Sequence, residues 1–315
     1  MSVYLLRGTA VALSEFLLTY LAIWLAVTVG WSWWAKDDRR IARTPAANVL
    51  YALQLAPFLF AAFLTLLFAL PAFLRFEPHR AEEEFGWPIV LFGLLCLAFL
   101  ATGLWRAARA ITQTRRMVRV WNGRTVSTAS SAGVPVMETA RGAPPLVVAG
   151  LLRPRLYVSS SAAEVLSEQE LARAIAHESA HVRRHDNLKK LLLRLCCLPI
   201  AGALERRWIA AAEMAADMDA VRSRREALDL ASALVKASKM ATPSPDLAMT
   251  FTADGTDLLR ARVERLLAWN GDAVGSSRWA AICAALSLVG MAFLLTPWYS
   301  TLLLAVHEFS EILVR

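Results

Sequence analysis

Long, nearly uninterrupted apolar blocks constrain this chain more than any other feature, because about 20 consecutive apolar residues are enough to cross the hydrocarbon core of a bilayer as a helix. Such blocks run from Thr9 to Trp34, Ala46 to Leu74, Trp87 to Trp105 and Trp279 to Leu304. With 57% of its 315 residues hydrophobic and gathered in this way, the chain reads as an integral membrane protein of mostly α class with four transmembrane helices. The first block has too polar an entry and too long an apolar run for a cleavable signal peptide, so it is expected to stay in the protein. In the second, Pro57 and Pro71 mark the points where a helix would break, and a partly re-entrant course is one option there. Trp31, Trp33, Trp34, Trp87, Trp105, Trp279 and Trp298 fit interfacial belts.

Charge fixes the expected orientation. Lys36, Arg39, Arg40 and Arg43 crowd the first connection, whereas Glu77, Glu82, Glu83 and Glu84 lie in the second. Arg106, Arg109, Arg115, Arg116 and Arg119 follow the third block, so the segment from Arg106 to Arg278 is expected in the cytoplasm and both termini outside. The net charge of +8 is accounted for by this bias, and no direct nucleic-acid binding is expected. Glu15 within the first block reads equally well as functional or as facing the bundle interior, and Gln54 as a helix-packing hydrogen bond. The four cysteines, Cys96, Cys196, Cys197 and Cys283, lie in apolar runs without metal-binding spacing.

Between the third and fourth blocks the pattern changes. A basic helical extension leads into a Ser/Thr-rich loop from Asn122 to Gly133. Short strands are expected at Val134 to Met137, Leu146 to Ala149 and Arg155 to Val158. Ser167 with Glu170 then forms the signature of a helix start, and the helix it opens carries His177-Glu178-Ser179-Ala180-His181. Two histidines four apart project from one helical face and can share a metal, while the intervening glutamate can polarise a water: the pattern of one catalytic Zn2+ with Glu178 as general base. Zinc held by His177 and His181 needs a third protein ligand. Glu213 is the best placed carboxylate, with Asp217 one turn on to orient a ligand histidine. Glu205 and Asp219 lack its alanine-lined setting, and His185 is a turn too far in a straight helix.

These residues, together with Arg153 to Ser159, Leu166 to Leu171, His177 to Leu188 and Arg262 to Leu267, resemble the BlaR/MecR-type integral-membrane zinc metallopeptidases. The resemblance implies zinc ligation by His177, His181 and Glu213, catalysis by Glu178, and a cytosolic α+β peptidase domain inserted between the third and fourth spans. It divides the chain into a membrane region (1–110), a peptidase domain (111–277) and a last span with a short external tail (278–315). The best-known relatives carry a penicillin-binding sensor after the fourth span, where this chain has Glu308 to Arg315, so antibiotic sensing is not supported. A multi-pass protein of the bacterial inner membrane is implied. It would cleave a protein or peptide such as a cytosolic transcriptional repressor, with its signal arriving through the spans or from a separate sensor protein. An HtpX-like quality-control protease and a non-catalytic zinc-binding scaffold are the alternatives; the intact Glu178 speaks against the scaffold. Finally, Ala241 to Gly255, with Pro243, Pro245 and Phe251, reads as an exposed loop and is the candidate self-processing site or lid.

Overall fold

The computed structural model describes residues 2–34, 47–77, 86–121, 126–131, 134–139, 144–151, 153–198, 202–240, 249–250, 256–271 and 299–314. Among the described residues, three helices are long and apolar enough to cross a membrane: Tyr4–Trp33, Ala47–Phe76 and Trp87–Trp121. They correspond to α1 (Ser2–Trp34), α2 (Ala47–Leu64) continued by a π-helical turn (Thr65–Ala69) into α3 (Leu70–Phe76), and α4 (Trp87–Trp121). Phe16, Leu17 and Tyr20 of α1 pack on Ala61 of α2 and Cys96 of α4, and Ser14 donates a hydrogen bond across to the Ile89 carbonyl.

The second block is one continuous helical path, neither broken nor re-entrant. Pro57 is absorbed within α2. Ahead of Pro71 the helix widens into the π turn, with the Leu70 N–H donating to the Thr65 carbonyl. A proline cannot donate to the carbonyl four residues earlier and its ring crowds that oxygen, so a wider turn relieves the clash. The carbonyl in question, that of Leu67, accepts a hydrogen bond from the Tyr299 hydroxyl at 2.8 Å. Tyr299 opens α11 (Tyr299–Val314), whose Leu303 packs on Phe68 and Ala72. Most of the fourth block lies outside the described residues; its described part stays helical beyond Leu304, where the span was expected to end.

α4 carries on past its apolar part without a break at residue 110, and this extension is what positions the sheet. The sheet runs in the order β1 (Val126–Ser131), β2 (Val134–Thr139), β4 (Arg155–Ser159), β3 (Leu146–Ala149), β5 (Met249–Thr250). β2 and β4 are parallel and the other neighbours antiparallel. The expected strands are present, but β1 falls in the stretch read as a loop. Its Ser/Thr-rich sequence has little apolar alternation to betray it, and backbone pairing with β2 defines it. Alternation in β3 and β4 sorts the faces. Leu146, Val148, Leu156 and Val158 face a core with Ala174, Leu230 and Leu234, while Val147 and Tyr157 face Val118 and Trp121 of the α4 extension.

That core is closed by α5 (Ser160–Val165), α6 (Glu168–Arg183), α8 (Gly202–Ala220), α9 (Arg224–Ser238) and α10 (Thr256–Leu267), whereas α7 (Asp186–Cys196) packs through Leu193 on Ala47 and Leu50 of α2. α6 starts at the expected capping box: Ser167 Oγ accepts from the Glu170 N–H, and Glu170 accepts from the Ser167 N–H. α6 lies against β3, and α8 packs beside α6.

Candidate metal centre

α6 and α8 bring three donor side chains to one point. His177 and His181, one turn apart on α6, have Nε2 atoms 3.1 Å apart. Glu213 of α8 places Oε2 3.3 Å from His177 Nε2 and Oε1 3.5 Å from His181 Nε2. All three residues are buried. The other ring nitrogens are engaged elsewhere, His177 Nδ1 at 2.9 Å from Asp217 Oδ1 and His181 Nδ1 at 2.8 Å from Asp186 Oδ2. A carboxylate facing Nδ1 holds the proton there and leaves the lone pair on Nε2. Two such lone pairs and a carboxylate therefore converge in a buried space, an arrangement that is repulsive unless a cation sits among them. A tetrahedral ion bound at about 2.0–2.1 Å would separate its ligand atoms by about 3.3 Å, close to the spacings observed. The group fits a single metal ion.

Glu178, on the same helix, is fully buried, and neither carboxylate oxygen has a hydrogen-bond partner among the described residues. Burial pushes its carboxyl up to about 7, against the pull of the two histidines and a smaller one from the Val148 N–H of β3, which faces the carboxylate outside hydrogen-bond geometry. The neighbouring groups move the other way. Burial acts against charge on His181, yet Glu213 and Asp186 raise it to about 10. His177 is raised too: burial acts against its charge, but Asp217 and Glu213 outweigh it. Burial likewise disfavours charge on Glu213, but His181 and Arg262 hold it well below the carboxylate range. Asp217 is lowered in the same way, burial being outweighed by Arg262. The field of the site thus favours positive charge at the point of convergence.

Two residues quoted in sequence only as part of longer stretches acquire definite places. Arg262 of α10 is wholly buried and forks onto Asp217 (Nε to Oδ2 2.8 Å, Nη2 to Oδ1 2.7 Å), with Nη1 3.0 Å from Glu213 Oε2. Asp186 reaches His181 because the chain turns sharply between α6 and α7. His185 sits at φ 55°, ψ 36°, the left-handed region, and so re-aims the next residue. In a straight helix Asp186, five residues after His181, would point to another side. Asn187 then ties this turn to β3, donating to the Val148 carbonyl at 3.1 Å and to Gly150 at 3.4 Å. Gly150, with φ +111°, ends the strand where a Cβ would lie 2.6 Å from the Arg153 carbonyl.

The competing carboxylates do not join the cluster. Asp219 pairs with Arg184 at 3.0 Å, and Glu205 is in the first turn of α8. His185 supplies the bend. Pro243, Pro245 and Phe251 lie outside the described residues, but within the same segment Met249–Thr250 forms β5, antiparallel to β3 with Met249 opposite Val148, where an exposed loop was expected.

The family model described as BlaR1 peptidase M56 matches residues 81–266, a stretch that includes α4, the sheet and every residue of the centre through Arg262. No curated protein matches the chain at a significant level.

Proposed function

The chain belongs to the BlaR1 peptidase M56 family, and from that premise we propose that this membrane metallopeptidase is a zinc-dependent endopeptidase with His177, His181 and Glu213 as metal ligands and Glu178 as general base. The observation that carries this reading is the pairing of three converging donors with a buried glutamate that has no partner among the described residues. A His2Glu donor set suits catalytic zinc and leaves a position for water or substrate. When bound, the ion polarises a carbonyl and acidifies a water. Glu178, raised to about 7, takes the proton of the attacking water near neutral pH and delivers it to the leaving amine. Asp217 and Asp186 keep both imidazoles in the ligating tautomer, and Arg262 fixes the Glu213–Asp217 pair.

The substrate is an extended peptide laid along β3, where backbone pairing positions the scissile bond beside Glu178. β5 holds that edge here. This supports the segment from Ala241 to Gly255 as the self-processing site or a lid, with a Glu178-dependent break in that interval, seen by terminal sequencing, as the expected result. We place the other substrates among regulatory proteins on the basic, cytosolic side of the inner membrane, a transcriptional repressor being the kind the resemblance implies. The input comes through the spans or from a separate sensor protein.

The test is Glu178→Gln in the purified full chain. Metal content should match the parent while hydrolysis of an unfolded protein such as casein falls by about 10²–10⁴-fold. Undiminished cleavage by the variant overturns the mechanism.

A further inference from the structure

α7 and α8, consecutive helices that carry metal-site residues at Asp186, Glu213 and Asp217, are held by all three described spans at the ends where one follows the other. On α1, the Tyr20 hydroxyl accepts from the Leu198 N–H at 3.1 Å. On α2, Cys197 Sγ lies 3.4 Å from the Gln54 carbonyl and Gln54 Nε2 lies 3.5 Å from the Leu204 carbonyl. On α4, Arg106 donates to the Cys197 carbonyl at 2.6 Å, and Gly103 admits α7 so closely that a Cβ there would overlap the Leu195 carbonyl. Leu198 also packs in the apolar cluster of Phe16, Tyr20 and Phe99.

The depth of this contact follows from helix geometry. At about 1.5 Å per residue, Tyr20 lies ~16 Å along α1 from Trp31, Gln54 ~10 Å along α2 from Ala47, and Phe99 ~9 Å along α4 from Trp105. Trp31, Ala47 and Trp105 mark where those helices leave their apolar stretches, with Trp105 itself exposed. Three helices thus put Leu198, after α7, and Leu204, in the first turn of α8, about 10–15 Å inside the apolar zone. The charges on α8 agree with this. Arg206 is exposed and Arg207 half-buried, between Leu204 at the Gln54 level and Trp208, which packs with Ala47, Leu50 and Tyr51. From there their long stems reach the headgroups.

The Asp186 end of α7 then lies just outside the bilayer. Asp186 is seven residues from Leu193, which packs on Ala47 and Leu50, a rise of ~10 Å. Three polar contacts join the centre to the first turn of α2: His181 to Asp186 at 2.8 Å, Asp186 to Lys189 at 3.3 Å, and Lys189 to Asn48 at 3.0 Å.

We propose that the metal centre sits within about 10 Å of the bilayer surface and therefore cuts a polypeptide segment held at that same bilayer faster than the same segment free in solution. This rests on the peptidase reading above. An extended chain covers about 3.3–3.6 Å per residue, so three or four residues suffice to bring a membrane-held peptide to Glu178.

The experiment uses the full chain in phosphatidylcholine vesicles and an unfolded casein segment, either free or coupled to a maleimide lipid through a spacer of about four or about twenty residues. The short-spacer segment should be cut at least as fast as the long-spacer one, and about tenfold faster than the free segment at equal bulk concentration. Resistance of the short-spacer segment while the long-spacer one is cut overturns the inference. If no form is cut, the peptidase reading fails, and a second measurement decides the location alone. Co2+ loaded into the chain in nanodiscs should broaden the lipid ³¹P resonance, and His177→Ala should abolish the effect. No broadening beyond a Zn2+-loaded control would remove the centre from the surface.

Discussion

Glu170 and Glu178 lie on the same helix, about two turns apart, and both are buried, yet their surroundings are opposite. Glu170 accepts from the Ser167 N–H at 2.8 Å, from Lys236 at 2.7 Å and from the Ser232 hydroxyl, so α9 is pinned to the start of α6. Burial opposes its charge, but Lys236 and Ser232 outweigh it and its carboxyl is lowered. Glu178 has no hydrogen-bond partner among the described residues and is raised to about 7. A buried carboxylate with its lone pairs satisfied holds helices together. One left without partners is costly to the fold and is kept where a proton must move.

The largest expected effect lies at the satisfied extreme. Arg262→Ala strips the buried Asp217 and Glu213 of their countercharge and should destabilise the metal-free protein by about 3–5 kcal/mol in chemical denaturation. Arg262→Lys should recover part of this, since a lysine keeps the charge and loses the fork. A loss under about 1 kcal/mol would show the cluster to be open to water, and the contrast between the two glutamates would then collapse.

Next comes the sign of the pH dependence. For metal-free protein, Glu178 rises from 4.5 to about 7 on folding, so the folded form binds its proton more tightly. Its contribution is fully present below the unfolded value and lost as pH rises through about 7. Glu178→Gln should therefore be more stable than the parent at pH 8, by an amount on the order of 3 kcal/mol that fades in acid. Glu170→Gln should behave oppositely. It should be less stable than the parent at neutral pH, with the gap closing as pH falls through the lowered Glu170 value. Parallel pH profiles for the two variants would remove the distinction.

A smaller effect separates the two histidines. Asp186→Asn and Asp217→Asn should each weaken metal binding by about ten- to a hundredfold in chelator competition, because each removes the carboxylate facing one Nδ1. Unchanged affinity in Asp186→Asn would mean that His181 keeps its tautomer without help.

How much of this was legible beforehand depends on the range of the interaction. The first three apolar helices, the capping box and the His177–His181 spacing are local patterns of period 3.6 or of composition, and they read directly. Arg262 and Asp217 are joined by packing across 45 residues, and a charged residue in a helix such as α10 ordinarily signals a solvated face. β1 has too little apolar alternation to announce a strand, and β5 is two residues whose pairing depends on β3 being already in place. The grip of the spans on the end of α7 was hidden for another reason. The apolar run from Leu191 to Ile200 is too short to cross a bilayer and reads as domain core.

His185 is the sharpest case of a residue whose sequence suggests one role and whose backbone shows another, and it carries the smallest predicted effect. Its left-handed conformation costs a non-glycine residue about 1–2 kcal/mol, tolerated because the bend delivers Asp186 to His181. Glycine removes that strain but adds roughly 0.5–1 kcal/mol of unfolded-chain entropy, so His185→Gly should lie within about 1 kcal/mol of the parent and keep its metal. A β-branched residue has no such release. His185→Val should lose about 1–2 kcal/mol and bind metal more weakly, because easing the strain swings Asp186 away from His181. Thermal melts with and without metal separate these outcomes. Metal lost from His185→Gly while its fold stays intact would make His185 a ligand after all, and the bend would no longer explain why Asp186 is where it is.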